Sequence, residues 1–120
     1  MTTPAVIGLV LDCRDPVKLA EFWAAALDYV SVGSAGNYVA LFPNGRPGPK
    51  LLVQQVPEPK TVKNRMHLDI PAVDIEAEAA RLEALGARRV TVDQVHEHDT
   101  TWIMMVDPEG NEFCVCDGGG

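Results

Sequence analysis

Apolar and polar positions follow two rhythms along this chain, and the rhythms change in the same order twice. Residues 5–12, AVIGLVLD, are a continuous apolar run rich in Val, Ile and Leu, which predicts a buried strand. Asp15-Pro16 follows, an acid able to cap a helix and a proline suited to its first position. Leu19, Ala20, Trp23, Ala24 and Leu27 then recur at helical spacing, with Lys18, Glu21 and Asp28 outside the stripe, so a helix is expected over 16–27. Residues 29–32 read as a strand, 33–36 as a turn, 38–42 as a strand closed by Pro43-Asn44-Gly45, and 50–56 as a fourth strand. The first half is therefore βαβββ.

Residues 57–64, PEPKTVKN, read as a linker, because Pro57 and Pro59 do not suit a central strand. The order then returns. Residues 66–70 predict a strand ended by Pro71, and Asp74 stands where Asp15 stood. A helix over 75–85 carries Ile75, Ala79, Leu82 and Leu85 on one face, and Gly86 suits its C-terminal stop. Strands are expected at 88–93, 102–106 and 112–116, with a polar loop through Thr100 and an Asp107-Pro108-Glu109-Gly110-Asn111 turn. Asp74 lies 59 positions after Asp15, Leu85 lies 58 after Leu27, and His67 lies 59 after Gly8. A nearly constant offset with the same element order marks an internal repeat. The expected organisation is one 120-residue α+β domain of two tandem βαβββ modules, at about 4–56 and 65–117, joined by the linker.

Composition narrows the partners more than the fold. The net charge of −7 disfavours a phosphate backbone, so no nucleic-acid partner is expected. No apolar run reaches the roughly 20 residues of a membrane span, and none of the N-terminal stretch has the basic start of a signal peptide. Three cysteines, with Cys114 and Cys116 pointing the same way along one strand, do not suggest a disulfide framework, and a cytoplasmic location is expected.

Three segments carry a resemblance: KNRMHLDI at 63–70, ALGA at 84–87, and WIMMVDPEGNEFCV at 102–115. With the tandem βαβββ order they resemble the vicinal oxygen chelate superfamily, which includes glyoxalase I, extradiol dioxygenases, and fosfomycin and bleomycin resistance proteins. The same segments look like the small glyoxalase-like domain proteins common in actinobacteria. The resemblance implies a cupped mixed sheet with helices outside, a ligand inside the cup, and a homodimer. In metal-dependent members four ligands come from the first and last strands of each half. Carried over by register, those slots are Gly8, Gln54, His67 and Cys114.

Two of the four slots depart from the metal-binding pattern. Gly8 has no side chain, and Cys114 replaces a carboxylate. Hard cations want oxygen, and only the neutral amide of Gln54 offers it. Zn²⁺ would need a third protein ligand, from Asp69 or Cys116. The expectation is therefore no metal and no cofactor. The expected function is binding of a small, partly apolar molecule by Gln54, His67, Asp69, Trp102, Met104 and Cys114. The alternative is a lyase, isomerase or dioxygenase-like enzyme using an unorthodox metal site or His67 as general base, oriented by Asp69. Cys114 as a nucleophile requires ionisation by His67, and its competing reading is a small buried apolar residue. His96-Glu97-His98-Asp99 resembles a surface metal cluster but reads as a solvated loop, and Lys60, Lys63 and Arg65 as a solvated basic cluster.

Overall fold

A computed structural model describes residues 7–91 and 94–118. Residues 5–6 of the first expected strand, 92–93 of the strand expected after the second helix, and 119–120 lie outside the described residues. The chain divides into two compact units between Pro59 and Lys60, within the segment read as a linker. The whole is α+β, with one helix and one mixed sheet in each unit.

In the first unit, β1 (Gly8–Cys13), α1 (Pro16–Leu27), β2 (Tyr29–Ala35), β3 (Tyr38–Pro43) and β4 (Lys50–Gln55) follow in order. The sheet runs β1-β4-β3-β2, with β1 parallel to β4 and the other pairs antiparallel. Asp15 accepts a hydrogen bond from the Lys18 N–H, and Pro16 occupies the first helical turn, so the predicted cap and start both form. The buried stripe of α1 is Leu19, Ala20, Phe22, Trp23 and Ala26. It meets Val39, Leu41, Leu51 and Val53, the residues of β3 and β4 that are buried. The turn expected at 33–36 is shorter than its glycines suggested. The strand β2 continues to Ala35 across a bulge between Ser31 and Gly33, and only Gly36-Asn37 connect it to β3. A glycine at a bulge gives the same sequence signal as a glycine in a turn.

The second unit holds β5 (Leu68–Pro71), α2 (Ile75–Leu85), β6 (Arg88–Arg89), β7 (Val95–Glu97), β8 (Thr100–Val106) and β9 (Glu112–Cys116). Its sheet runs β5-β9-β8-β6, with β5 parallel to β9 and β7 paired to β8. Asp74 caps α2 by accepting from the Ala77 N–H, as Asp15 does for α1. Ile75, Ala79 and Leu82 are buried under this helix, together with Ile103, Met105, Phe113 and Val115 of β8 and β9. Each large apolar side chain so buried contributes about 1.5–3 kcal/mol.

The segment expected as a solvated polar loop is a β-hairpin. Glu97 pairs with Thr100 and His96 with Thr101, and His96 Nδ1 lies 2.6 Å from the Thr101 hydroxyl oxygen. His98 and Asp99 form the two-residue connection with φ of 51° and 60°. That left-handed pair matches the twist of a hairpin, but without the usual Asn-Gly it carries no sequence signal. No described helix is long and apolar enough to cross a membrane.

Candidate functional site

The strand register of the second unit decides which side chains meet. Asp69 of β5 pairs with Cys114 of β9, which pairs with Met104 of β8. Pro71, Cys116 and Trp102 form the next row in the same direction. Side chains alternate across a strand, so Ile103, Met105, Phe113 and Val115 point toward α2 while Asp69, Cys114, Cys116, Met104 and Trp102 share the opposite face. His67 immediately precedes β5 and joins that face two residues before Asp69.

These residues line a cavity of about 380 Å³, completed by Glu97, His98 and Thr100 from the β7–β8 hairpin. The volume is within the range of small-molecule sites. Five of the six expected site residues, His67, Asp69, Trp102, Met104 and Cys114, therefore line one cavity. Gln54 belongs to the first unit, on β4 between Asp12 of β1 and Tyr38 of β3, and its backbone carbonyl accepts from the Cys13 thiol at 3.4 Å. Gly8 opens β1 of the same unit. The lining residues that the sequence did not assign to the binding site are Glu97, His98, Thr100 and Cys116, the last considered there only as a third zinc ligand. The one signal was the alternation of Thr100 with Trp102 and Met104 and of Cys116 with Cys114, while Glu97 and His98 were obscured by the polar character of their stretch.

His67 Nδ1 lies 3.7 Å from Asp69 Oδ1, longer than a hydrogen bond. Cys114 is 6% exposed. Burial, then the negative charge of Asp69 and the neighbouring Cys116, push its thiol up to about 11, with Lys63 opposing weakly. At neutral pH the free side chain is a neutral thiol, which removes the basis for a nucleophilic role. One ligand atom each from His67, Asp69 and Cys114 lies within 4.8 Å of the other two. The four slots carried over from the resemblance do not suit a hard cation, because Gly8 has no donor and Cys114 offers sulfur. The group of three includes Asp69, which is not one of those slots.

Two polar features of the second unit, one buried and one half-buried, lie outside the cavity lining. Asp107 is 1% exposed and folds the β8–β9 turn, its Oδ1 accepting from the N–H groups of Glu109 and Asn111. Glu112 accepts from Lys60 at 2.7 Å and from the Asn64 N–H at 3.0 Å. Burial raises the Glu112 carboxyl, but Lys60 and the Asn64 amide outweigh it and hold it below the usual range. Lys60, expected as solvated, is thus engaged in an ion pair.

Comparison with known proteins places the architecture. A model of the glyoxalase-like domain family matches residues 8–116. No curated protein matches the chain in sequence. Among solved structures, a fosfomycin resistance protein, FosX, from Listeria monocytogenes, complexed with Mn(II) and 1S,2S-dihydroxypropylphosphonic acid, superposes with a TM-score of 0.77. It is 13% identical, over 98% of this chain and 92% of that one. A glyoxalase/bleomycin resistance protein/dioxygenase from Nocardioides is 18% identical over 100% of this chain and 88% of that one, with a TM-score of 0.72. A hypothetical protein from S. aureus covers 96% of this chain and 94% of its own at 13% identity and a TM-score of 0.73. At these identities the structural neighbours establish the fold, and the match across 8–116 establishes the family: this chain belongs to the glyoxalase-like domain family of the vicinal oxygen chelate superfamily.

Proposed function

We propose that this protein binds a small, partly apolar molecule in the cavity of its second sheet, without the four-ligand metal set of the superfamily. The cavity of about 380 Å³ carries this reading, because it combines two kinds of surface. Trp102 and Met104 give an apolar wall for a flat or aliphatic group. His67, Asp69, Glu97, His98 and Thr100 give polar groups that fix orientation. Among the described lining residues there are two carboxylates and no Lys or Arg, which disfavours an anion such as the phosphonate bound to FosX. A neutral or basic compound with hydrogen-bond donors fits better. A homodimer in the cytoplasm completes the reading, and sedimentation equilibrium tests the dimer.

The experiment is a fluorescence titration with the neutral apolar dye N-phenyl-1-naphthylamine, followed by displacement with a panel of neutral and cationic aromatic compounds. Emission should rise with the native protein and fall on displacement. Trp102→Ala should weaken dye binding roughly tenfold, the loss of one aromatic contact wall, while the melting temperature stays near that of the parent. Equal binding by Trp102→Ala, or no binding at all, would overturn the assignment.

The second reading is an enzyme in which His67 acts as general base. The position of His67 on the cavity lining, 3.7 Å from an Asp69 oxygen that can orient the ring, favours it. His67→Ala should then abolish turnover of a compound that still binds. Turnover unchanged by that substitution would eliminate His67 as the base.

A further inference from the structure

We propose that His67, Asp69 and Cys114 form a three-ligand site for a soft divalent cation, Zn²⁺ or Co²⁺, built within the second unit alone. Three observations carry it. The ligand atoms are already close, all within 4.8 Å of one another, with His67 Nδ1 and Asp69 Oδ1 at 3.7 Å. A tetrahedral Zn²⁺ with ordinary bond lengths sets its donors roughly 3.3–3.6 Å apart, so the His67–Asp69 pair is already near that spacing and the widest separation closes by at most about 1.5 Å through side-chain rotation. The positions are also fixed by the sheet. Asp69 and Cys114 are direct cross-strand partners on β5 and β9, and His67 lies on the same face. Finally, the donor set selects the ion. Imidazole, carboxylate and thiolate suit zinc and cobalt, whereas Mg²⁺ and Mn²⁺ prefer oxygen. A carboxylate and a thiolate together neutralise the two positive charges of the cation, and the thiol proton leaves to solvent on binding.

Three protein ligands leave one tetrahedral position, and the cavity beside Trp102 and Met104 is where it would open. A water or a donor atom of a bound molecule would fill it. This inference extends the binding reading, and that reading stands without it. The set also differs from the slots carried over by resemblance, since it takes nothing from Gly8 or Gln54 and adds Asp69.

The test titrates reduced, chelator-treated protein with Co²⁺ alone and records the visible and near-ultraviolet spectrum. A thiolate-to-cobalt charge-transfer band should grow to saturation at one equivalent and disappear when Zn²⁺ is added. Cys114→Ser should remove the band, and Asp69→Asn should weaken Co²⁺ binding on the order of tenfold or more. Far-ultraviolet circular dichroism checks that both variants fold. If Cys114→Ser does not fold, Cys116→Ser and Cys13→Ser serve instead, and each should keep the band. No charge-transfer band, or one that survives Cys114→Ser or is lost in Cys116→Ser, overturns the site. The dye titration is run on the same metal-free protein. Dye binding without a cobalt band removes only the metal inference, and a cobalt band without dye binding removes only the small-molecule reading.

Discussion

Glu112 shows how one side chain couples the start of the second unit to its last strand. Its carboxylate joins Lys60 and the Asn64 amide to β9. Those partners depress the carboxyl relative to the ordinary glutamate value of 4.5. A carboxyl lowered on folding contributes stability above its unfolded value and loses it as the pH falls through the folded one. Glu112→Gln should therefore melt below the parent at pH 7, with the gap closing as the pH drops below about 4.5. Thermal melts across pH 3–7 read this directly, and a gap that widens toward acid would contradict the assignment. Nothing in the sequence announced this pair, because Lys60 lies in a segment rich in proline and charge. A contact between residues 52 positions apart has no local signature.

At the scale of elements, the strongest sequence signal was the turn between β8 and β9. Asp107 satisfies three N–H donors from within that turn, those of the Glu109 and Asn111 backbones and of the Asn111 side chain. Asp107→Ala leaves these buried donors unmatched, and a loss of about 2–3 kcal/mol follows from the ordinary cost of hydrogen bonds to a charged acceptor. Urea unfolding measures it, and a change under about 0.5 kcal/mol would show that water replaces the carboxylate. Both helices were legible with their bounds, because proline, cap and apolar period coincide at Asp15-Pro16 and at Asp74. The β7–β8 hairpin was not. Its turn uses His98-Asp99 in a conformation usually reserved for Asn or Gly, and its strands are polar, so neither period nor turn chemistry stood out. That omission hid Glu97, His98 and Thr100 of the site, whereas Cys114 came from the resemblance to the family, and Asp69 and Trp102 from strand alternation read beside it.

Across the whole molecule the two copies share a plan, the second adding the strand β7 to the expected βαβββ, and are unequal in chemistry. Two capped helices and two mixed sheets recur in the same order, yet the cavity with histidine, carboxylate and thiol lines belongs to the second unit. Gly8 and His67 stand in corresponding positions of the repeat, and the glycine there is not required by its backbone. A Cβ added at Gly8 would meet only Lys50 Cε, at 3.5 Å, an ordinary contact with the end of a flexible chain. Gly8→Val should consequently leave the melting temperature unchanged or raise it, since valine suits a strand better than glycine, and a fall of several degrees would show a constraint absent from these distances. The two copies therefore differ in what their first strands can still accept as well as in what they carry. The bare slot in the first strand is a vacancy that a side chain can fill without any neighbour having to move first.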